Sequence, residues 1–523
     1  MSRPLDLEDD PYIDGMPHKR IIVCCDGTWN NSDGADQVPT NVAKLARCIH
    51  PEAEVTHNGE KIEIKQVVYY QHGIGSVAGW LFGSLENAIE GATGRGIREN
   101  IMQAYQFICL NYQHGDEIFL FGFSRGAFTA RSIAHLIWMM GLLTHKGLIH
   151  LGSVFEQWEK QNEKEKSHGS LENDKEVNDY FRDLLHKEWT RPQIPIKVCG
   201  VWDTVGSLGL PRPFFLPQPV GKKLAFVNTK VLPNVEYAYQ ALALDERRRQ
   251  FKPTLWEKPD GQVNPRVLKQ CWFPGSHLDV GGGLKDDAAA RVPLAWMLSQ
   301  LDGLLNFDPL AVGQFMRGRG ASPSFVGRIH NSMRGIFVLG GEYTRIPGTF
   351  TSTNPVTREP TAKRLQNTFE SIHWTARERM TKNIDDYSKA GLVDFTMKAV
   401  VTEPNSPVVH DAEDTKHLPL PQGPGRQVAV QWVSWKHRVS VMEDEMRSFE
   451  QKILQLWDMQ ELYAMTVKRG SREKVNGRDQ ASDKAIERLQ SLFQARKSST
   501  YDVLSSDNTH IPTVEPSPRR ETA

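Results

Sequence analysis

The chain has 523 residues, 39% hydrophobic and 24% charged, which is the make-up of a globular protein long enough to bury a sizeable core. Lys+Arg and Asp+Glu each number 63, and a zero formal charge argues against a protein built as a whole to grip nucleic acid. No apolar run reaches the ~18 residues of a membrane-spanning helix, the first residues lack the apolar stretch of a secretory signal, and the 6 cysteines include no CxxC pair. A cytoplasmic protein without a disulfide framework or a cysteine zinc site is expected.

Residues 1–18 read as an acidic, flexible arm. KRIIVCC, Lys19–Cys25, is a short apolar run rich in β-branched residues that ends at Asp26-Gly27, and it predicts a buried strand. A second run at 66–70 ends at His72-Gly73, and helical spacing follows over 87–112. EIFLF (117–121) predicts a third strand and 125–143 a helix, with two more strands at Ile196–Trp202 and Val267–Phe273. Strands alternating with helices predict an α/β fold, a mostly parallel sheet with helices on both faces, over residues 19–400. The charged stretch 151–190 reads as a solvated helical insertion. The Pro- and aromatic-rich 207–265 reads as a loop or cap. Residues 401–427 read as a linker. Beyond it, Met442, Met446, Phe449, Ile453, Leu456 and Tyr463 recur at three- and four-residue steps. That spacing predicts an amphipathic helix, with a second one near Ile486, Leu489 and Leu492 in a helical appendage over 428–497. The mixed charges Glu443, Asp444, Arg447, Glu450 and Lys452 on its other face favour packing within the protein over an anionic membrane. Residues 498–523 read as a disordered tail.

Gly122-Phe-Ser124-Arg-Gly126 follows the third strand directly and opens the next helix. A G-x-S-x-G turn in that context holds a serine in a strained elbow, where the flanking residues must be small to avoid collision. Ser124 is therefore the candidate nucleophile. A serine needs a base, and the base an orienting acid; in this kind of fold they follow in the order serine, acid, histidine. Asp203, directly after IKVCGVW, and His277, after VLKQCWFPGS, both fall where a strand end delivers a side chain to one sheet edge. Asp279 is the rival acid, although it also fits a role in shaping the Gly281-Gly282-Gly283 turn. His72 precedes the serine and suits a pocket wall. His135, on the helix, suits a packed, hydrogen-bonded site. The oxyanion donors expected are the Arg125 N–H and the Asp26-Gly27-Thr28 loop, with Asp26 fixing that loop.

The ordered set IIVCCDGTWNN, VVYYQHGIGS, GDEIFLFGFSRGAFTAR, VCGVWDTVGSLG, LALDERRRQFKPTLW and CWFPGSHLDVGGG resembles the catalytic domain of type VI secretion phospholipase effectors, over about residues 19–380. The resemblance implies an α/β-hydrolase whose serine of GFSRGA is Ser124, whose aspartate of VWDTV is Asp203 and whose histidine of WFPGSH is His277. It implies an acyl-enzyme route on lipid or phospholipid esters, with no cofactor and no metal. The apolar stretch 208–217 is a candidate acyl groove, and Trp80 with Phe82 a candidate for transient membrane-surface contact. Two other readings stand beside this one. One is a metal-dependent hydrolase using Asp26, Asp203, His277 and Asp279. The other is a degenerate hydrolase core serving as an interaction scaffold. Nothing in the residues points to an oligomeric state.

Overall fold

A computed structural model describes residues 18–27, 38–57, 60–73, 94–168, 175–205, 230–317, 327–333, 341–353, 360–384, 387, 391–403, 406–408, 427–444, 447 and 450. The arm before residue 18, the tail, Thr28, the 80–82 and 208–217 stretches and the helix around Leu489 lie outside them. The strands, in chain order, are β1 (Lys19–Cys25), β2 (Glu52–His57), β3 (Glu60–Gln71), β4 (Glu117–Phe123), β5 (Leu142–Leu143), β6 (Thr190–Arg191), β7 (Ile196–Trp202) and β8 (Val235–Ala243). They continue as β9 (Val267–Phe273), β10 (Thr351–Thr353), β11 (Pro360–Arg364), β12 (Glu370–His373), β13 (Thr396–Glu403), β14 (Ser406–Val408), β15 (Gln427–Ser434) and β16 (Val439–Asp444). The helices are α1 (Asn41–Cys48), α2 (Gly94–Asn111), α3 (Arg125–Met140), α4 (Leu151–His168), α5 (Lys175–His186), α6 (His277–Gly281), α7 (Ala288–Gln300), α8 (Pro309–Arg317) and α9 (Trp374–Thr381).

Twelve strands form one sheet in the order β14-β13-β15-β16-β12-β9-β8-β7-β4-β1-β3-β2. Every pair from β3 through β16 is parallel, while β2 at one edge and β15, β13 and β14 at the other are antiparallel. The protein is therefore a mixed α/β structure built on a large, mostly parallel sheet. The chain runs from β1 outward to β3, then crosses back to β4 on the other side of β1. That reversal puts a topological switch point at the carboxyl ends of β1 and β4, the position where open parallel sheets carry their sites.

The period-2 alternation of a strand explains the two cores. Ile21, Val23, Ile118 and Leu120 face α2, α3 and α4, whereas Ile22, Cys24, Phe119 and Phe121 face α1, α7 and α8. Because both faces are covered, β1 and β4 are buried along nearly their whole length and read as unbroken apolar runs. A third cluster lies farther along the sheet, where Leu242, Leu244 and Trp272 pack with Phe350, Ile372, Leu392, Trp432 and Val441.

Four expectations need correction. The 151–190 segment is helical, but α4 sends Val154, Phe155 and Trp158 fully into the core, so its first half is structural rather than solvated. The 207–265 region contains β8, a central strand, because VEYAYQALA pairs with β7 on one side and β9 on the other. The 401–427 linker begins inside a hairpin, since β13 runs to Glu403 and β14 covers Ser406–Val408. The helical appendage from 428 starts as two strands instead. QVAVQWVS is β-branched and alternating, and Met442 sits in β16 beside β12. Four of the polar side chains assigned to that helix's outer face contact the core, while Lys452 lies outside the described residues. Trp296 Nε1 donates to Asp444 Oδ2 (2.7 Å), Arg377 to Glu443, His373 contacts Glu450 (2.9 Å), and Arg447 donates to the Ser299 carbonyl (2.9 Å). The stripe from Met446 on, Glu450 and Arg447 apart, lies outside the described residues.

Candidate active site

At the end of β4 the chain turns sharply into α3. Ser124 occupies the turn with φ 57° and ψ −118°, a conformation that costs a non-glycine residue energy and persists only where the surroundings enforce it. Two contacts enforce it here. A methyl group on Gly122 would fall 2.3 Å from the Gly126 carbonyl oxygen, and one on Gly126 would fall 2.1 Å from the Cys25 carbonyl oxygen. The G-x-S-x-G spacing is thus dictated by the turn closing on itself and by the end of β1 pressing against the first turn of α3. The Ser124 N–H donates to the Trp202 carbonyl (3.1 Å), which ties the turn to the end of β7.

Asp203 is the next residue of that strand. It is fully buried at φ 39°, and its N–H donates to the Ala241 carbonyl of β8 (2.7 Å). His277 begins α6 just beyond β9, after the Pro274-Gly275-Ser276 turn. Its Nδ1 donates to Asp203 Oδ2 at 2.6 Å. The imidazole is held between Phe123, the residue before Ser124, at 4.6 Å between ring centroids, and Phe251 at 4.9 Å. Its backbone N–H donates to Glu246 Oε2 (3.2 Å). His277 Nε2 is buried and has no hydrogen-bond partner in the structure. Ser124, Asp203 and His277 therefore lie along one edge of the sheet, at the carboxyl ends of β4, β7 and β9.

The rivals sit elsewhere. Asp279 closes a capping box on Ser276 and holds His330 Nδ1 at 2.6 Å. It does not contact His277 Nδ1; Asp203 does. His72 stands at the end of β3, edge-on to Tyr70. His135 is buried in α3 and accepts from Trp158 Nε1 (3.0 Å), and burial pushes its imidazole down to about 4, so it is a neutral packing group. Asp26 accepts from Thr40 Oγ1 (2.8 Å), Tyr70 Oη (2.5 Å) and the Gly27 N–H (2.6 Å). Burial pushes its carboxyl up to about 6 against those bonds. Asp26, Asp203 and Asp279 are thus committed to three separate sets of partners. Among the described residues no group of three or more His, Cys, Asp or Glu side chains is arranged to hold a metal ion. A small cavity lined by Arg131, Ser132, His135 and Trp256 has none of Ser124, Asp203 and His277 in its wall.

Sequence reasoning missed Arg345. Its guanidinium is buried and grips the far side of Asp203, with Nη1 donating to Oδ1 (2.6 Å) and Nη2 to Oδ2 (3.1 Å). It also donates to the carbonyls of Ala243 (2.6 Å) and Phe251. Burial alone would raise the Asp203 carboxyl, but the Arg345 charge and the His277 bond outweigh it and hold the group well below the usual carboxylate range. Nothing in the local sequence around Arg345 marks it, because its partner lies 142 positions earlier in the chain.

A mostly parallel α/β sheet with a strained serine at one strand end and a buried His–Asp pair beside it is what the fold and site define. Residues 19–300 match the type VI secretion phospholipase effector Tle1-like catalytic domain, and the chain belongs to that family. An uncharacterized protein of Saccharomyces cerevisiae, YEL023C, is 30% identical over 261 residues, which are 47% of this chain and 34% of that protein, so the likeness spans about a third of the yeast relative. A solved structure of the Tle1 effector bound to the VgrG spike of the type VI secretion system is 18% identical, with a TM-score of 0.27, over 54% of this chain and 55% of that one. No helix among the described residues is long and apolar enough to cross a membrane.

Proposed function

We propose that this chain is a serine ester hydrolase of the α/β-hydrolase type, acting on lipid or phospholipid acyl esters through an acyl-enzyme. The observation that carries the reading is the buried His277 ring, bound through Nδ1 to Asp203 and packed at a tilt against the residue before a strained Ser124, with Nε2 left without a partner. The class of substrate is supported by membership of a phospholipase family.

In this reading Ser124 Oγ attacks the ester carbonyl as His277 Nε2 takes the hydroxyl proton. The Asp203 carboxylate keeps the other proton on Nδ1 and stabilises the imidazolium that forms. The oxyanion faces the start of α3, where first-turn N–H groups have no acceptor within the helix and the helix dipole favours negative charge. Arg125 supplies one such N–H. The Gly27 N–H is turned onto the Asp26 carboxylate, which leaves the second donor of that loop outside the described residues. Collapse expels the alcohol, protonated by His277, and water reverses the sequence.

Labelling with a fluorophosphonate tests the nucleophile: the wild type should react and Ser124→Ala should not. Equal labelling of the two would remove Ser124 from the mechanism. A panel of acyl esters and phospholipids, with Ser124→Ala as the control, then defines the substrate.

A further inference from the structure

The carboxylate of Asp203 has about four acceptor positions, and all are filled. His277 Nδ1 and Arg345 Nη2 occupy Oδ2, while the Ala243 N–H (3.1 Å) and Arg345 Nη1 occupy Oδ1. Half of the bonds that orient the acid therefore come from one side chain. That side chain lies outside the 19–300 stretch that matches the family. Its delivery is well built. The Tyr343 N–H donates to the Arg247 carbonyl (2.8 Å), and the Arg249 N–H to the Gly341 carbonyl (3.2 Å). Gly391 packs so closely that a methyl group there would fall 2.3 Å from the Arg345 carbonyl oxygen. The guanidinium is spread over Asp203, Ala243 and Phe251, and Phe251 in turn packs on the His277 ring.

We propose that Arg345 is a positioning residue of the hydrolytic site: its fork turns Asp203 so that one oxygen faces His277 Nδ1, and its charge moderates how strongly the acid favours imidazolium over imidazole. The inference rests on the serine-hydrolase reading. Its physical basis is the sharing of one buried carboxylate between two cations, or one cation and one forming cation. A bidentate guanidinium drains negative charge from the oxygen that would otherwise hold the His277 proton most tightly. The other ionisable groups around the pair are bonded to partners of their own, and Asp245, which burial pushes up to about 7, is unchanged between the variants compared below. Glu246, facing the His277 backbone, is bound by Arg248 at 2.8 Å; Asp279 on α6 is bound to His330; Asp245 accepts from Tyr387 and Gly275. Arg345 is the cation that touches Asp203 directly.

Removing the charge should therefore move the acid limb of the rate profile to higher pH, whereas a purely structural role would leave the limb in place. The second-order rate of fluorophosphonate labelling, followed from about pH 5 to 9, reads this without a known substrate. Arg345→Gln should raise the midpoint of the acid limb by about one pH unit. It should also slow the plateau rate by about 10²-fold through misplacement of the acid. Arg345→Lys restores a charge but not the fork, so its limb should return close to wild type while the plateau stays low. A folded Arg345→Gln protein with the wild-type limb overturns the proposal. If circular dichroism shows that Arg345→Gln does not fold, Arg345→Met, uncharged and close to arginine in length, takes its place: a raised limb supports the proposal, and the wild-type limb overturns it. Ser124→Ala separates the two levels, because wild-type labelling that survives in it sinks the hydrolase reading and this inference together, whereas Ser124-dependent labelling with unmoved limbs sinks only the role of Arg345.

Discussion

Residues 19–300 and the described chain beyond them differ in how they build structure. The first region follows a repeated logic of strand, turn and helix, and each of β1, β4, β7, β8 and β9 hands its carboxyl end to the same edge. The second supplies the edge of the sheet with short strands that join β9 through β12 and β16, and it covers Trp272 and Leu242 with Phe350, Ile372 and Trp432. One region carries Ser124, Asp203 and His277, and the other closes over the acid from behind with Arg345. The difference teaches that the stretch which matches a family and the stretch which makes a complete site need not coincide. A side chain can be placed against a buried carboxylate by any segment whose backbone is held there.

Ending the chain after Gln300 tests that most severely. It would expose the Trp272 cluster and leave Asp203 buried without its guanidinium, a loss comparable with the ~5–15 kcal/mol that keeps a protein folded. No soluble, cooperatively folding product is expected from expression and circular dichroism; a truncated chain that folds and labels would make the second region a mere appendage. Next in size, Ser124→Ala should lower ester turnover by about 10⁴- to 10⁶-fold while leaving the melting temperature close to wild type, which places chemistry in the first region alone. Phe350→Ala comes third. This side chain is 5% exposed and stacks on Trp272 at 5.4 Å, so its loss should cost ~3–5 kcal/mol. Chemical denaturation should show one shifted transition if the two regions fold as a unit, and two transitions if they do not.

The smallest effect concerns pH. Burial pushes the Asp245 carboxyl up to about 7, against the bonds from Gly275 and Tyr387. A carboxyl raised on folding binds its proton more tightly in the native state. Its contribution is therefore fully present below the unfolded value near 4, and is lost as pH rises through about 7. Asp245→Asn should remove that decline, so the variant should gain on the wild type by up to a few kcal/mol between about pH 4 and 8. A difference in melting temperature that stays flat over that range would mean that Asp245 ionises without cost.

Legibility followed the same division. The strands ending at Cys25, Trp202 and Phe273 were open to reading because burial on both faces makes a parallel strand an unbroken apolar run. β8 was hidden by the Pro- and aromatic-rich sequence around it, although Tyr237 and Tyr239 alternate with buried alanines as a strand would. Met442 was misplaced because three- and four-residue spacing over a short window fits a helix as well as chance, and the alternation of β15 next to it was the better guide.

By itself the sequence determined the α/β alternation and the glycine-flanked turn at Ser124, together with the strand-end positions of Asp203 and His277. All of these follow from local sterics and from the periodicity of burial. Only the tertiary structure decided which carboxylate meets His277, since Asp203, 74 positions earlier, and Asp279, two positions later, were both candidates and only Asp203 reaches its Nδ1, from the far side of β8. It alone decided that Arg345 belongs to the site. A buried ion pair is chosen by desolvation and geometry between segments distant in the chain, and neither leaves a pattern in the residues around the arginine.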